Sequence, residues 1–303
     1  MYADSYFAIG SSHKICEDYA LAGTVEVAES YARGQERFFA AVADGCSSSR
    51  HTDIGARFLC LGAQEALRLS PPYEFNEHAV LPHACAMMGR ILPQECLDST
   101  LLLVYTTSRF INVAASGDGV IVARHRDGTI HTQEIEFNHN APAYLSYQMD
   151  QKRLEAYTTG QLNTGVLEGG CGVRTMKFML YDGRMGAGVP DPEMDDRRLD
   201  SRVTRDPETF WHIERFNRSH FDMVAVLSDG VHSFQKKNVL GQLENIPLQE
   251  VLQQLMKLKS VRGEFVTRRC KRFLSKYCAE HGWSHYDDFS MAAVYAEEYV
   301  EEE

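Results

Sequence analysis

Two Asp-Gly pairs, Asp44-Gly45 and Asp229-Gly230, each follow a short apolar segment of the sequence. An Asp-Gly pair is most often a plain hairpin turn, and Asp127-Gly128 fits that interpretation. A helical segment follows Asp44-Gly45 and a polar stretch follows Asp229-Gly230, so neither pair leads into a clean returning strand. The other acids that stand beside apolar segments are Glu17, Asp18, Asp118, Asp287 and Asp288. We expect these carboxylates to converge.

Carboxylates that converge in a half-buried site repel one another strongly, and divalent cations can neutralise them. Carboxylate oxygens and a backbone carbonyl favour Mg²⁺ or Mn²⁺ over zinc or copper. A glycine beside the ligand lets its carbonyl approach the ion closely. Because two such ions can activate a water and hold a phosphoryl oxygen, the pattern predicts metal-assisted chemistry on a phosphate.

Composition excludes several other classes of protein. The chain has 303 residues, and its 31 basic and 42 acidic residues give a net charge of −11, which argues against non-specific nucleic-acid binding. No apolar run approaches the roughly 20 residues of a membrane helix, and the N-terminus lacks the features of a signal peptide. The eight cysteines are scattered without a CxxC pair, which predicts a reduced, cytoplasmic protein.

Apolar runs and helical periodicities divide the chain into elements. Predicted strands cover 6–9, 21–27, 38–43, 100–105, 111–115, 120–124, 223–227 and 289–295. Predicted helices cover 53–69, 82–92, 248–258 and 263–280. The short connections make neighbouring strands antiparallel. The grouping of strands and helices predicts an α+β fold in which antiparallel sheets pack under helices.

The pattern weakens between 139 and 220. Glycine-rich stretches at 169–172 and 183–188 and a segment of acids and arginines at 191–208 indicate irregular connections. We hypothesise that the long region 132–221 holds a mobile lid or a recognition element. A basic stretch at 257–276 could dock an acidic partner, but the solvated face of an amphipathic helix is the simpler interpretation.

Five short motifs in one order resemble the protein phosphatase 2C family, also called PPM, the metal-dependent serine/threonine protein phosphatases. They are Glu17-Asp18, VADGCSSS at 42–49, SGDG at 116–119, LSDGV at 227–231 and DDFS at 287–290. The form of the second motif looks like the bacterial branch. The resemblance covers nearly the whole chain, taken as a single domain over 1–303. It implies a four-layer αββα sandwich of two antiparallel sheets flanked by helices.

The resemblance also implies a catalytic set of Asp44, Asp229 and Asp287. Asp44 would bridge two Mg²⁺ or Mn²⁺ ions, and the Gly45 carbonyl would bind one of them. Asp229 and Asp287 would complete the site of the other ion. Asp288 stands where the family usually has asparagine, which favours Asp287 as the ligand.

The remaining implied site residues are less central. Glu17 and Asp18 match the first acidic motif, as a ligand or as a holder of metal-bound water. Asp118 matches the aspartate that binds a third ion in bacterial members, together with Asp229. The family's phosphate-binding arginine is replaced by His13, with Lys14 adjacent, and either side chain could bind phosphate less firmly.

A second departure concerns the proton donor. Many family members carry a histidine directly after the bridging Asp-Gly pair, where this chain has Cys46. Nearby His51 could substitute, although a lone histidine in a loop is more often structural or solvated.

Together these features predict a phosphoprotein phosphatase in which a metal-bridging hydroxide attacks phosphoserine or phosphothreonine in line. The partner would be a phosphorylated protein, the substrate of a serine/threonine kinase, with no nucleic acid or membrane involved. The alternative is a phosphatase-like binding module with weak or no catalysis. Hydrolysis of a small phosphorylated metabolite also stays open.

Overall fold

The computed structural model describes residues 1–28, 36–71, 73–159, 161–162, 165–166, 173–182, 202–205 and 210–297. The glycine-rich stretches expected at 169–172 and 183–188 lie outside the described residues. So does most of the expected irregular segment at 191–208, within which residues 202–205 form a strand. Most of the 160–210 core of the hypothesised lid is likewise outside the described part of the chain.

Antiparallel strands dominate the described residues. The strands are β1 Tyr2–Ala8, β2 Tyr19–Glu26, β3 Glu36–Ala43, β4 Leu101–Thr106, β5 Phe110–Ser116, β6 Gly119–His125, β7 Thr129–Phe137, β8 Gln161–Leu162, β9 Gly165–Val166, β10 Val173–Asp182, β11 Arg202–Arg205, β12 His212–Asn217, β13 Phe221–Leu227, β14 Phe234–Lys237, β15 Leu243–Asn245, β16 Trp283–His285 and β17 Phe289–Tyr295. The helices are α1 Thr52–Leu69, α2 Val80–Met88, α3 Gln151–Thr158, α4 Leu248–Leu255, α5 Phe265–Arg272 and α6 Ala279–His281, the last two joined by a π-helical segment at Phe273–Cys278.

The strands form two large sheets. One has the order β1-β17-β13-β6-β7-β10-β11 and the other β12-β5-β4-β3-β2, while β15-β14-β16 form a small third sheet and β8-β9 a short pair. Strands β7, β10 and β12 come from the region 132–221, so part of that region belongs to the large sheets rather than to an insertion.

Alternating apolar side chains build three cores. Val42 and Leu102 of the five-stranded sheet meet Val224 and Val294 of the seven-stranded sheet in the layer between the sheets. Helices α1 and α2 cover the outer face of the five-stranded sheet, and α4 and α5 cover that of the seven-stranded sheet. The predicted α+β, four-layer αββα sandwich is therefore confirmed. None of the helices in the described ranges combines the length and apolarity needed to cross a bilayer.

Most predicted elements are confirmed, and their differences lie at the ends. The predicted helix over 82–92 occupies Val80–Met88 because Gly89, at φ 65°, ends it in a backbone region that favours glycine. The predicted strand over 6–9 begins earlier, at Tyr2, because Tyr2 pairs with Tyr295 across the sheet. The hairpin predicted at Asp127-Gly128 joins β6 to β7.

Candidate active site

The antiparallel register brings the predicted acids to the same end of the strands in each sheet. Leu227, at the end of β13, pairs with Val120 of β6 and with Met291 of β17. These pairings bring three acidic segments together at one end of the strands. They are the β5–β6 turn, the turn after β13 and the segment before β17. In the other sheet Tyr19 pairs with Ala43, which places the acid before β2 beside the acid after β3.

Asp18 is the most deeply placed acid of this group, with 1% of its surface exposed. Ser228 Oγ donates a hydrogen bond of 2.6 Å to Asp18 Oδ2, whereas Oδ1 is buried without a hydrogen-bond partner among the described residues. Burial raises the pKa of Asp18 to about 7; the Ser228 hydrogen bond opposes this rise and the Asp229 charge adds to it. A buried acceptor with no donor is the place where a cation would be expected.

Asp44 lies next to Asp18 at the end of β3. Its backbone is fixed on both sides by Thr100, because Asp44 N donates to Thr100 Oγ1 at 3.1 Å and Thr100 N donates to the Asp44 carbonyl at 2.8 Å. Part of the residue remains accessible, although protein atoms closely surround its carboxyl group. Burial, followed by the charges of Asp18 and Asp229, raises the pKa of Asp44 well above its ordinary value, and a hydrogen bond links it to Asp229.

Asp118 occupies the tight β5–β6 turn. The flanking Gly117 and Gly119 have φ values of 90° and 140°, which side chains rarely allow, so the glycines of the SGDG motif are needed for the turn itself. Burial, followed by the Asp229 charge, raises the pKa of Asp118 to about 7. The charge of Asp118 in turn contributes to the raised pKa of Asp44.

Asp287 and Asp288, although adjacent, have different environments. Asp288 is buried and accepts backbone hydrogen bonds from Gly10 N at 2.7 Å and Glu17 N at 2.6 Å, so it fixes the loop between β1 and β2. The side chain of Asp287 is 38% exposed, and His13 Nε2 lies 3.1 Å from its Oδ1. This arrangement agrees with the preference for Asp287 over Asp288 as a candidate ligand.

His13 and Lys14, the predicted phosphate-binding residues, are placed differently from each other. The His13 ring lies between two acids, because its Nδ1 is also 3.2 Å from Asp288 Oδ2. Lys14 is exposed. His13 is therefore positioned to hold carboxylates, whereas phosphate binding by either residue stays a prediction.

Glu17 lies at the side of the cluster. Its Oε1 accepts a hydrogen bond of 3.3 Å from Thr52 Oγ1 at the start of α1, and its Oε2 lies 3.7 Å from His13 Nδ1. Burial raises the pKa of Glu17, and the charge of His13 opposes this rise. Glu17 can therefore orient the first turn of α1 against the loop that carries His13.

Two glycines of the motifs allow close backbone approach. A Cβ on Gly45 would lie 2.7 Å from Thr52 Cβ and 3.0 Å from the Glu17 carbonyl oxygen. A Cβ on Gly230 would lie 1.6 Å from the Asp288 carbonyl oxygen. A side chain at either position would push apart the segments that carry the acids.

The donor set fits a hard divalent cation. Asp18, Asp44, Asp118 and Asp229 contribute closely spaced carboxylates, and Asp18 Oδ1 lacks any other partner among the described residues. Within those residues, no three His, Cys, Asp or Glu side chains stand ready at ligand spacing. Burial and the neighbouring carboxylate charges raise the pKa values of Asp18, Asp44 and Asp118, so a bound cation would have to displace protons from these carboxyl groups.

A sequence model of the family described as Protein phosphatase 2C matches residues 12–143. The predicted resemblance to protein phosphatase 2C is confirmed. The matched segment contains the first three of the five motifs, including Glu17-Asp18, Asp44 and Asp118. A search of curated proteins finds no match.

Solved structures of phosphatases align over almost the full chain. The serine/threonine phosphatase Stp1 from Staphylococcus aureus is 10% identical, with 97% of this chain and 94% of that chain covered and a TM-score of 0.48. The serine/threonine phosphatase of S. agalactiae is 12% identical, with 98% and 99% covered and a TM-score of 0.46. The catalytic domain of the phosphatase PstP, in complex with two manganese ions, is 12% identical, with 98% of each chain covered and a TM-score of 0.48.

A cleft of about 380 Å³ opens beside the motif acids of this protein phosphatase 2C-like chain. Asp118, Asp229 and Asp287 line it together with His232, a residue that the sequence patterns did not single out. His232 Nε2 lies 3.7 Å from the Oε2 atom of Glu134 on β7. No signal in the sequence joins these two residues, because they are brought together only by the pairing of β6 with β7 and β13.

Tyr144 is a second residue that sequence reasoning missed. Burial, followed by the charge of Cys46 and a hydrogen bond with it, raises the pKa of Tyr144. The charges of Asp118 and Asp44 act in the same direction, so the phenol lies near the cluster as a neutral hydrogen-bonding group. Its neighbour Cys46 lies 3.0 Å, Sγ to Oγ, from Ser48.

The loop after Asp44 is held by Asp98. The Asp98 carbonyl accepts from Cys46 N at 2.8 Å, and its carboxylate accepts from Ser49 Oγ at 2.7 Å, from Ser146 Oγ at 2.5 Å and from Arg153 Nη2 at 2.7 Å. Asp98 therefore ties α3 to the segment that carries Asp44. The alternative proton donor His51 is exposed at the start of α1.

Proposed function

We propose that this protein is a Mg²⁺- or Mn²⁺-dependent phosphatase that hydrolyses phosphoserine or phosphothreonine in proteins. The observation that carries the proposal is the convergence of acids from both sheets. The pKa of Asp44 is raised by burial and by the charges of Asp18, Asp229 and Asp118, which come from three other segments. Such a cluster costs stability unless cations compensate it.

The donors can be divided between two ions. In this proposal Asp44 would contribute to both, the Gly45 carbonyl to one, and Asp229 and Asp287 to the other. When bound, the cations would supply an activated water and a positive charge for the phosphoryl oxygens.

The remaining acids have supporting roles in the proposal. Asp118 would hold a third ion beside Asp229. Asp18 would offer its Oδ1, which has no hydrogen-bond partner among the described residues, while Ser228 fixes its other oxygen. Glu17 orients the loop that carries His13 and α1.

The chain's own residues also shape substrate binding. The cleft is open and polar at its rim, with Asp287 and His13 on one side and Glu136 of β7 on another. An extended phosphopeptide can enter such a cleft and present its phosphate to the acids at the floor. Lys14, exposed next to His13, remains the predicted cation for the incoming phosphate.

The proposed setting is the cytoplasm, where the chain would oppose a serine/threonine kinase. The seven cysteines among the described residues are free thiols, which supports a reducing compartment. The net charge of −11 supports a protein rather than a nucleic-acid partner.

Hydrolysis of a phosphothreonine peptide, with and without Mn²⁺, tests the proposal. We expect turnover that depends on Mn²⁺ in the parent and in Asp127→Asn, a control in an exposed turn. Asp229→Asn should lose it because the cluster then lacks a central carboxylate. Metal binding without turnover in the parent would favour the alternative, a phosphatase-like binding module.

Faster hydrolysis of small phosphorylated metabolites than of the peptide would indicate that the substrate is such a metabolite and not a phosphoprotein.

A further inference from the structure

A closely packed turn after β13 places the side chain of His232 in the lining of the cleft. It belongs to a 3₁₀ helix, Asp229–Ser233, whose other residues Gly230, Val231 and Ser233 are buried. The backbone of Gly230 packs directly against Asp288, and Val231 N donates to the Ser228 carbonyl at 3.2 Å. The side chain of His232, by contrast, is 41% exposed and lines the cleft with Asp118, Asp229 and Asp287.

Glu134 lies within ion-pair distance of one nitrogen of the His232 ring. Only 8% of Glu134 is exposed, and its Oε2 lies 3.7 Å from His232 Nε2. Lys177, the cross-strand neighbour of Glu134, donates to Glu136 instead, at 2.6 Å. Glu134 is therefore directed at the imidazole, and no contact to His232 Nδ1 is found among the described residues, which leaves that atom for a molecule in the cleft.

The chemistry of the proposed reaction calls for such a group. When the phosphorus–oxygen bond of a phosphoserine breaks, the bridging oxygen keeps the electron pair and leaves as an alkoxide unless a proton reaches it. An imidazolium can give that proton and become neutral imidazole while water's oxygen bonds to phosphorus and the protons of the water leave with the inorganic phosphate. Tyr144 is poorly suited, because burial raises its pKa, and the Cys46 thiol already lies against Ser48.

We propose that His232 is the proton donor to the leaving alcohol oxygen, with Glu134 as its positioning residue. The inference rests on the proposed phosphatase function and deepens it. A carboxylate that faces one imidazole nitrogen orients the other, as in many acid–base pairs.

Two substrates with different leaving groups test the inference. A phosphothreonine peptide releases an alkoxide that needs a proton, whereas p-nitrophenyl phosphate releases a stabilised phenolate that does not. In the Mn²⁺-loaded enzyme, His232→Gln should lower kcat on the peptide by about 10²-fold or more. On p-nitrophenyl phosphate the change should stay within about threefold, because that step gains little from an acid.

Variants of the paired residue and of a matched pair complete the test. Glu134→Gln should lower kcat on the peptide by about tenfold, with KM and p-nitrophenyl phosphate hydrolysis unchanged. His78→Gln removes a histidine that lies 3.9 Å from Glu77 on the surface and should change neither substrate.

Three outcomes would overturn the inference. Equal losses on both substrates for His232→Gln would assign the residue to binding or structure. Unchanged hydrolysis of the peptide would show that another group supplies the proton. A parent that hydrolyses neither substrate with Mn²⁺ would overturn the proposed function together with this inference.

Discussion

Replacing Asp18 by asparagine separates the electrostatic cost of the carboxylate cluster from the rest of the fold. Asp18 is buried, and its pKa is raised from 3.8 to about 7. Asparagine has nearly the same shape and keeps an oxygen that can accept the hydrogen bond from Ser228. The substitution therefore removes the charge with little change in packing.

The direction of the effect follows from proton linkage. A carboxyl group whose pKa is raised by folding binds more protons in the native state than in the unfolded state between the two pKa values. Its stabilising contribution is thus full below about pH 4 and is lost as the pH rises through about 7. Since one pKa unit corresponds to about 1.4 kcal/mol, the loss amounts to at most about 4 kcal/mol.

Urea unfolding of the metal-free protein between pH 4 and pH 8 measures this quantity. We expect the free energy of unfolding of the parent to fall by up to about 4 kcal/mol more than that of Asp18→Asn over this range. Asp127→Asn, in an exposed turn, should show the same pH dependence of the free energy of unfolding as the parent. The same pH dependence of the free energy of unfolding in the parent and in Asp18→Asn would refute the account of a repulsive buried cluster.

Three further predictions concern packing, the Asp98 network and the cations. Gly230→Ala should destabilise the protein by about 3 kcal/mol or more in urea unfolding, because its Cβ would overlap the Asp288 carbonyl. The control Gly23→Ala, whose Cβ would lie 3.7 Å from its nearest neighbour, should change the stability little. Equal effects would argue against the tight turn. Asp98→Asn should lower the free energy of unfolding by about 2 kcal/mol or more. The control Glu65→Gln, in an exposed ion pair, should lower it by less than about 1 kcal/mol. Similar losses of stability in the two variants would contradict the role of Asp98. Saturating Mn²⁺ should raise the Tm of the parent more at pH 8 than at pH 5, because binding requires deprotonated carboxylates, and a shift independent of pH would contradict this.

The convergence of the acids could be predicted from the sequence because they stand at the ends of apolar strands. Asp44 and Asp229 each follow such a strand, and the face-to-face packing of the two sheets brings the ends of these strands together. Short connections and apolar alternation predict antiparallel sheets packed under helices, whereas the four-layer order was implied by the family resemblance. The order of the motifs carried the family resemblance.

The remaining features depend on contacts between segments far apart in the chain. The motif resemblance favours Asp287 over Asp288 as the ligand, but only the structure shows that Asp288 is engaged in hydrogen bonds to the β1–β2 loop. The pairing of Glu134 with His232 depends on the order of strands in the sheet, which periodicity does not encode. The contacts of His13 with Asp287 and Asp288 were likewise not predictable, because these two acids come from the other end of the chain.

Isothermal titration of Mn²⁺ into the metal-free protein tests the central claim, that the converging carboxylates form a divalent-cation site. The account predicts binding of at least two ions per chain at pH 8. Asp44→Asn should abolish or strongly weaken that binding, while Asp127→Asn should leave it intact. No binding by the parent, or binding that Asp44→Asn does not alter, would contradict the claim.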